Sequence, residues 1–274
     1  MRHHAGRDVN AALSLKKTPR TGVQEVVVNL HWSTCNINYI IDTSQKLSGC
    51  PVISKDAKAV VMADISPVQL PGPFWKKREL PDHTWDQSRK NAITPMTFLF
   101  LETKVTSTSL SAQDTIMHVT RTGQAVTLLY LSFFEPDTTF KCMNEIFHLL
   151  AIPSLDHLFR DKETGKLKKE FVFIVDNGPQ EKPSNPLVQI CMARIMNVLK
   201  LDKISKLSFA EYHSKRNFVE HVHTEENRVL AKHGPFTSQP IHKDPVVGST
   251  EHCQNMEHMA EEVCKCIRKQ ALSF

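Results

Sequence analysis

Two short segments of the chain set acidic, amide and basic side chains where they could work on a charged ligand. Asp176 closes the apolar run Phe171 to Val175 (FVFIV) and is followed by Asn177, Gly178 and Pro179. A carboxylate at the end of such a strand projects from the sheet edge where α/β proteins bind ligands. The same Asp-Asn-Gly is also ordinary turn chemistry, with Asp bonding its own backbone and Gly supplying a positive φ. The second segment runs Lys215, Arg216, Asn217, Phe218, Val219, Glu220, His221, Val222, His223 and continues to Glu225, Glu226, Asn227 and Arg228. Helical spacing puts Glu220, His223 and Asn227 on one face, with Lys215 and Arg216 just ahead of the helix. Asn217 and Glu220, three apart, also fit a capping box in which Glu220 only satisfies a backbone amide.

The elements that would hold these residues follow from hydrophobic period. Residues 1–22 are polar and basic and read as an arm, and Val23 to Ile41 fits a strand at its start and a helix in its continuation. Val52 to Met62 reads as a strand with Asp56 and Lys58 on one face. Five prolines and two tryptophans between Ser66 and Pro95 mark a long insertion, in which Lys76, Lys77 and Arg78 flank Trp75. Met96 to Val105 and Gln124 to Phe134 are apolar strands, and Phe140 to Ala151 has helical spacing. After the strand ending at Val175, a helix is predicted over Leu187 to Leu199, a short strand over Leu207 to Tyr212 and a helix over Phe218 to Lys232. Glu251 to Leu272 carries an apolar stripe and reads as an amphipathic helix packing on a core. This order predicts an α/β fold, a mixed sheet flanked by helices, with a long insertion and a C-terminal amphipathic helix. The division expected is a lead-in over 1–48, a core over 49–240 and a helical extension over 241–274.

The ordered pair, FVFIVDNGP and then, after a helix, KRNFVEHVHTEENRVLAKHG, resembles the core of RNase H-like DDE transposases and integrases. There an Asp-Asn-Gly closes a strand and an Asn-x-x-Glu opens the helix bearing the last acid. The resemblance covers about 51–233, and its motifs are dense from Phe171 onward. It implies DNA strand cleavage and transfer by two-metal phosphoryl transfer, with Mg²⁺ or Mn²⁺ held by carboxylate oxygens because hard cations prefer them. Asp176 and Glu220 would be two of the catalytic, metal-holding acids. The third acid of the pattern belongs on an early strand, where Asp56 is the choice and Asp64 the rival. Lys215, Arg216, Asn217 and Arg228 would contact nucleic acid, and Trp75 or Trp85 could stack on an unpaired base. The resemblance further implies DNA as partner, compatibility with a homodimer or higher oligomer, and a nuclear location in a eukaryote. Both gaps between the acids exceed those of retroviral integrases, which loop insertion tolerates at small cost. They also keep open a catalytically inactive, transposon-derived interaction module.

Composition narrows the remaining classes. A formal net charge of +5 permits a polyanionic partner without demanding one. Seven scattered cysteines in a chain of this size predict reduced thiols and an intracellular protein. The N-terminus has no apolar signal core, and the run Thr127 to Phe134 is too short to span a bilayer, so no membrane partner is expected. The abrupt start and the close within a helical pattern suggest a piece of a longer protein. His252, Cys253, His258, Cys264 and Cys266 lack the paired short spacings of a structural zinc site. No glycine loop for nucleotide phosphates is evident, and no strand-to-helix elbow surrounds a cysteine to make it a nucleophile.

Overall fold

A computed structural model describes residues 23–47, 49–58, 60–64, 89–109, 115–176, 178–210 and 217–271. Its elements are α1 (Val23–Leu47), β1 (Val52–Ala57), β2 (Val61–Met62), β3 (Ala92–Ser109), β4 (Thr115–Leu131), α2 (Thr139–Leu150), α3 (Asp156–Phe159), β5 (Glu170–Val175), α4 (Pro186–Leu199), β6 (Lys203–Ser208), α5 (Val219–His233) and α6 (Thr250–Ala271). They form a mixed six-stranded sheet flanked by helices, as the hydrophobic pattern predicts.

Across the sheet the order is β4, β3, β1, β5, β6, with β2 beside the start of β3. β1, β3 and β4 run antiparallel, whereas β5 and β6 run parallel to β1. β5 reaches β6 through α4, the helical crossover that a parallel pair requires. β1 and β2 follow the same edge of β3. Their pairing slips by one residue between Ala57↔Met96 and Val61↔Ile93, as a bulge does. The single strand predicted over Val52 to Met62 is therefore interrupted just after Asp56 and Ala57.

Alternation along β1 divides the core. Ile53 faces α2 and α4 with Phe98, Phe100, Phe171, Val188 and Ile195. Val52 faces α1 and α5 with Leu99, Val172, Ile174, Ile37, Ile41 and Val219. A third cluster joins α6 to α5, β2 and β3 through Met256, Met259, Val263, Leu230, Val61 and Ile93. Residues from both flanking segments, 23–47 and 250–271, thus share the core with the strands. At roughly 1.5–3 kcal/mol for each large apolar side chain withdrawn from water, these layers are the main force holding the helices to the sheet.

Particular elements depart from expectation. The 23–47 segment takes the helical alternative, because Ile37 and Ile41, four apart, fill the groove over β1 and β5. The strand expected over Leu207 to Tyr212 instead spans Lys203–Ser208, where full parallel pairing with β5 outweighs the sparse apolar signal of KISKLS. β4 begins well before the predicted Gln124 and pairs with β3 from Ile93↔Leu131 to Ser109↔Thr115. Gly123 makes that close pairing possible. A Cβ there would stand 1.8 Å from the Phe100 carbonyl oxygen, and its φ of +149° is one that other residues rarely adopt. Among the described residues no helix is long and apolar enough to cross a membrane.

Candidate carboxylate site

β1 and β5 lie side by side in parallel, with Ile53 opposite Phe173 and Ser54 opposite Ile174. Continuing that register by two residues sets Asp56 beside Asp176 at the ends of adjacent strands. Asp176 Oδ1 accepts a hydrogen bond from the Gly178 amide at 2.9 Å, so the aspartate's half of the turn chemistry is realised, whereas Gly178 does not take the positive φ expected of it. That bond fixes the carboxylate at the strand end.

Glu220 approaches from α5, and Asn217 sets its approach. The Asn217 side chain, 1% exposed, accepts through Oδ1 from Ser54 Oγ and donates through Nδ2 to the Lys55 carbonyl at 3.0 Å. The Asn217 carbonyl accepts from the Glu220 amide at 3.1 Å. One buried amide therefore ties the first turn of α5 to the β1 residues just before Asp56. This replaces the capping-box alternative, since the residue preceding α5 makes no side-chain cap.

The Asp56 carboxyl feels the result. Burial, then the neighbouring charge of Asp176, then that of Glu220 push its pKa up to about 7, with His223 acting in the opposite direction. Three acids far apart in sequence thus share one electrostatic neighbourhood. Asp64 is held elsewhere: its carboxylate accepts from the Ser238 amide at 3.2 Å and from the Ser238 hydroxyl.

A second ring of buried polar groups surrounds the acids on the α5 face. His223 Nδ1 lies 2.9 Å from Glu226 Oε2, and Glu226 Oε1 accepts from Thr97 Oγ1 at 3.1 Å and Thr127 Oγ1 at 2.9 Å. Lys58 Nζ donates to Asn227 Oδ1, and burial lowers its pKa against the pull of Glu226 and Glu220. Lys58 therefore shares the α5 face with Asp56, as the strand period predicts. Thr97, Thr127 and Glu226 carry no local motif. The only signal for the ring was the three-residue step from Glu220 to His223 and again to Glu226.

On the opposite face of β1, Lys55 is 3% exposed and pairs with Glu145 of α2 and with Glu181, the latter at 2.5 Å. Lys206 Nζ stands 3.7 Å from the same Glu181 oxygen. Burial opposes the Lys55 charge, but Glu181 and Glu145 together raise its pKa above the ordinary lysine range. Among the described residues, Cys142, Glu145 and Glu181 are the group whose donor atoms all lie within 4.8 Å of one another. They could surround one cation, and the Lys55 ammonium is the cation that two of them hold.

The remaining expected contacts fall into two sets. Arg228 is on the exposed side of α5, its guanidinium 2.6 Å from Glu225, whereas Asn217 is fully committed to β1. Lys215, Arg216, Trp75, Trp85, Lys76, Lys77 and Arg78 lie outside the described residues. His252 is a structural ring, with Nδ1 accepting from the Gly248 amide and Nε2 against the Lys90 carbonyl and Asn91 Oδ1. All seven cysteines are free thiols. A cavity of 760 Å³ between β4, α5 and α6 is walled by Val126, Leu128, Val222 and Ile267, and none of the three acids lines it. No family model, curated protein or solved structure matches the chain.

Proposed function

We propose that this chain is an RNase H-like polynucleotidyl transferase of the DDE type, cutting and joining DNA at Asp56, Asp176 and Glu220. The observation that carries the reading is the parallel register of β1 and β5, which sets Asp56 beside Asp176, with the Asp56 carboxyl raised by burial and then by the charges of Asp176 and Glu220. The resemblance leaves the third acid open between Asp56 and Asp64, and of the two it is Asp56 that senses the other acids, while Asp64 is held by Ser238. The strand order, three antiparallel strands followed by two parallel ones, supports the same reading.

The donor set suits Mg²⁺ or Mn²⁺. Three carboxylates offer hard oxygen ligands, and the raised Asp56 pKa, due to burial and then to the charges of Asp176 and Glu220, is the penalty a divalent cation relieves. When bound, such ions supply nucleophile activation and stabilisation of the leaving oxygen. The protein's part is to fix the donors: Asp56 and Asp176 from adjacent strands, Glu220 from a helix anchored by Asn217. DNA as partner and a nuclear place of work in a eukaryotic host belong to the same proposal.

The test is Mg²⁺- or Mn²⁺-dependent nicking of a labelled DNA duplex, with Asp176→Asn and Glu220→Gln run beside the unaltered chain. The expected result is nicking that both substitutions reduce to the metal-free level while the melting transition persists. One observation favours a noncatalytic interaction module: the three acids are not among the donors gathered within 4.8 Å. Absence of both nicking and divalent-cation binding by calorimetry would select that reading.

A further inference from the structure

His223 is 6% exposed, yet only one of its ring nitrogens has a partner. Nδ1 faces Glu226 Oε2 at 2.9 Å, whereas Nε2 is buried without a hydrogen bond among the described residues. A buried polar atom left unpaired costs about 1–3 kcal/mol, so a nitrogen held this way calls for a use. The surroundings remove the freedom to relieve it. Glu226, 4% exposed, has its other oxygen fixed by Thr97 and Thr127, so it accepts from Nδ1–H and leaves the Nε2 lone pair outward. His223 follows Glu220 by three residues on α5, and it is close enough to Asp56 to act on that carboxyl.

A carboxylate holding one imidazole nitrogen so that the other points at a cation is the usual support for a metal-binding histidine. We propose that His223 Nε2 is a fourth donor at the carboxylate site, with Glu226, Thr97 and Thr127 as its positioning residues, so that the site favours Mn²⁺ over Mg²⁺. The preference follows from ligand type, since imidazole suits transition metals while all-oxygen sites suit Mg²⁺. This inference rests on the carboxylate reading above and adds to it a nitrogen and a choice of metal.

The experiment is pulsed electron paramagnetic resonance of the full chain loaded with Mn²⁺ alone, in natural-abundance and ¹⁵N-histidine-labelled protein, beside Mn²⁺ and Mg²⁺ titrations. The expected spectrum contains an imidazole nitrogen coupling that changes with the label and disappears in His223→Gln. That substitution should weaken Mn²⁺ binding about tenfold or more and Mg²⁺ binding less, and Glu226→Gln should weaken Mn²⁺ binding by about 10–100-fold. Even if His223→Gln fails to fold, a spectrum of the unaltered protein without histidine coupling overturns the assignment, and loss of the coupling in Glu226→Gln supports it. Mn²⁺ bound in an Asp176-dependent way without nitrogen coupling, or with a coupling that survives His223→Gln, overturns the histidine assignment and leaves the three acids standing. No Mn²⁺ binding, or binding indifferent to Asp176→Asn, overturns both.

Discussion

Near neutral pH the Asp56 carboxyl is divided between its two protonation states, because burial and then the charges of Asp176 and Glu220 penalise the anion. The folded chain therefore holds this proton up to about pH 7, while the unfolded chain releases it near pH 4. Between those values the folded state binds more protons, so its stability declines as pH rises, by roughly 1.4 kcal/mol per pH unit at most, and levels off above 7. Asp56→Asn should remove this decline. Urea melts without divalent cation should find the variant more stable than the unaltered chain at pH 8 and matched to it near pH 4. Asp176 and Glu220 were legible because each sits in a short motif, and Asp56 because the early strand offered only Asp64 as a rival. Helical spacing put His223 on the face of Glu220, but its pairing with Glu226 was not legible, since Thr97 and Thr127, which hold Glu226, stand on strands distant in sequence.

Helix α5 owes its position to a side chain that precedes it. The Asn217 amide spans from the turn before α5 to Ser54 and to the backbone of Lys55, and no other residue type offers a donor and an acceptor of that reach. Asn217→Ala should cost about 1–3 kcal/mol in a denaturant melt, because it leaves a buried carbonyl and hydroxyl unpaired. At temperatures where the variant stays folded, it should also weaken divalent-cation binding measured by calorimetry. The element pattern was read correctly where apolar period was strong, as in β5, α2 and α4. It failed where tertiary pairing decides. KISKLS becomes β6 because β5 offers it a full parallel ladder, and the long β3–β4 pairing extends through polar residues that hydropathy leaves as a connection.

The molecule as a whole is knit across β1, whose two faces carry separate buried charge systems. Lys55 joins β1 to α2 through Glu145 and to the segment after β5 through Glu181, which Lys206 of β6 also reaches. Lys55→Met should destabilise the chain by about 3–5 kcal/mol, because two buried carboxylates lose their principal counter-charge. Adding Glu145→Met should recover part of that loss in thermal melts, since Lys206 still faces Glu181. None of this was legible in the sequence. The parallel pairing of β1 with β5 joins strands separated by more than a hundred positions, and no local period encodes it.

That arrangement also constrains how the sheet can assemble. Adjacent residues of β1 carry opposite charge to opposite faces, Lys55 toward Glu145 and Glu181 and Asp56 toward Asp176. A slip of one residue would exchange them, because side chains alternate with a period of two. Asp56 would then join two buried glutamates with only Lys206, 3.7 Å from Glu181, left to offset them. Charge therefore acts as a proofreading signal for strand alignment, rejecting the off-by-one sheet that the apolar neighbours Val52 and Ile53 would accept almost equally well on either face.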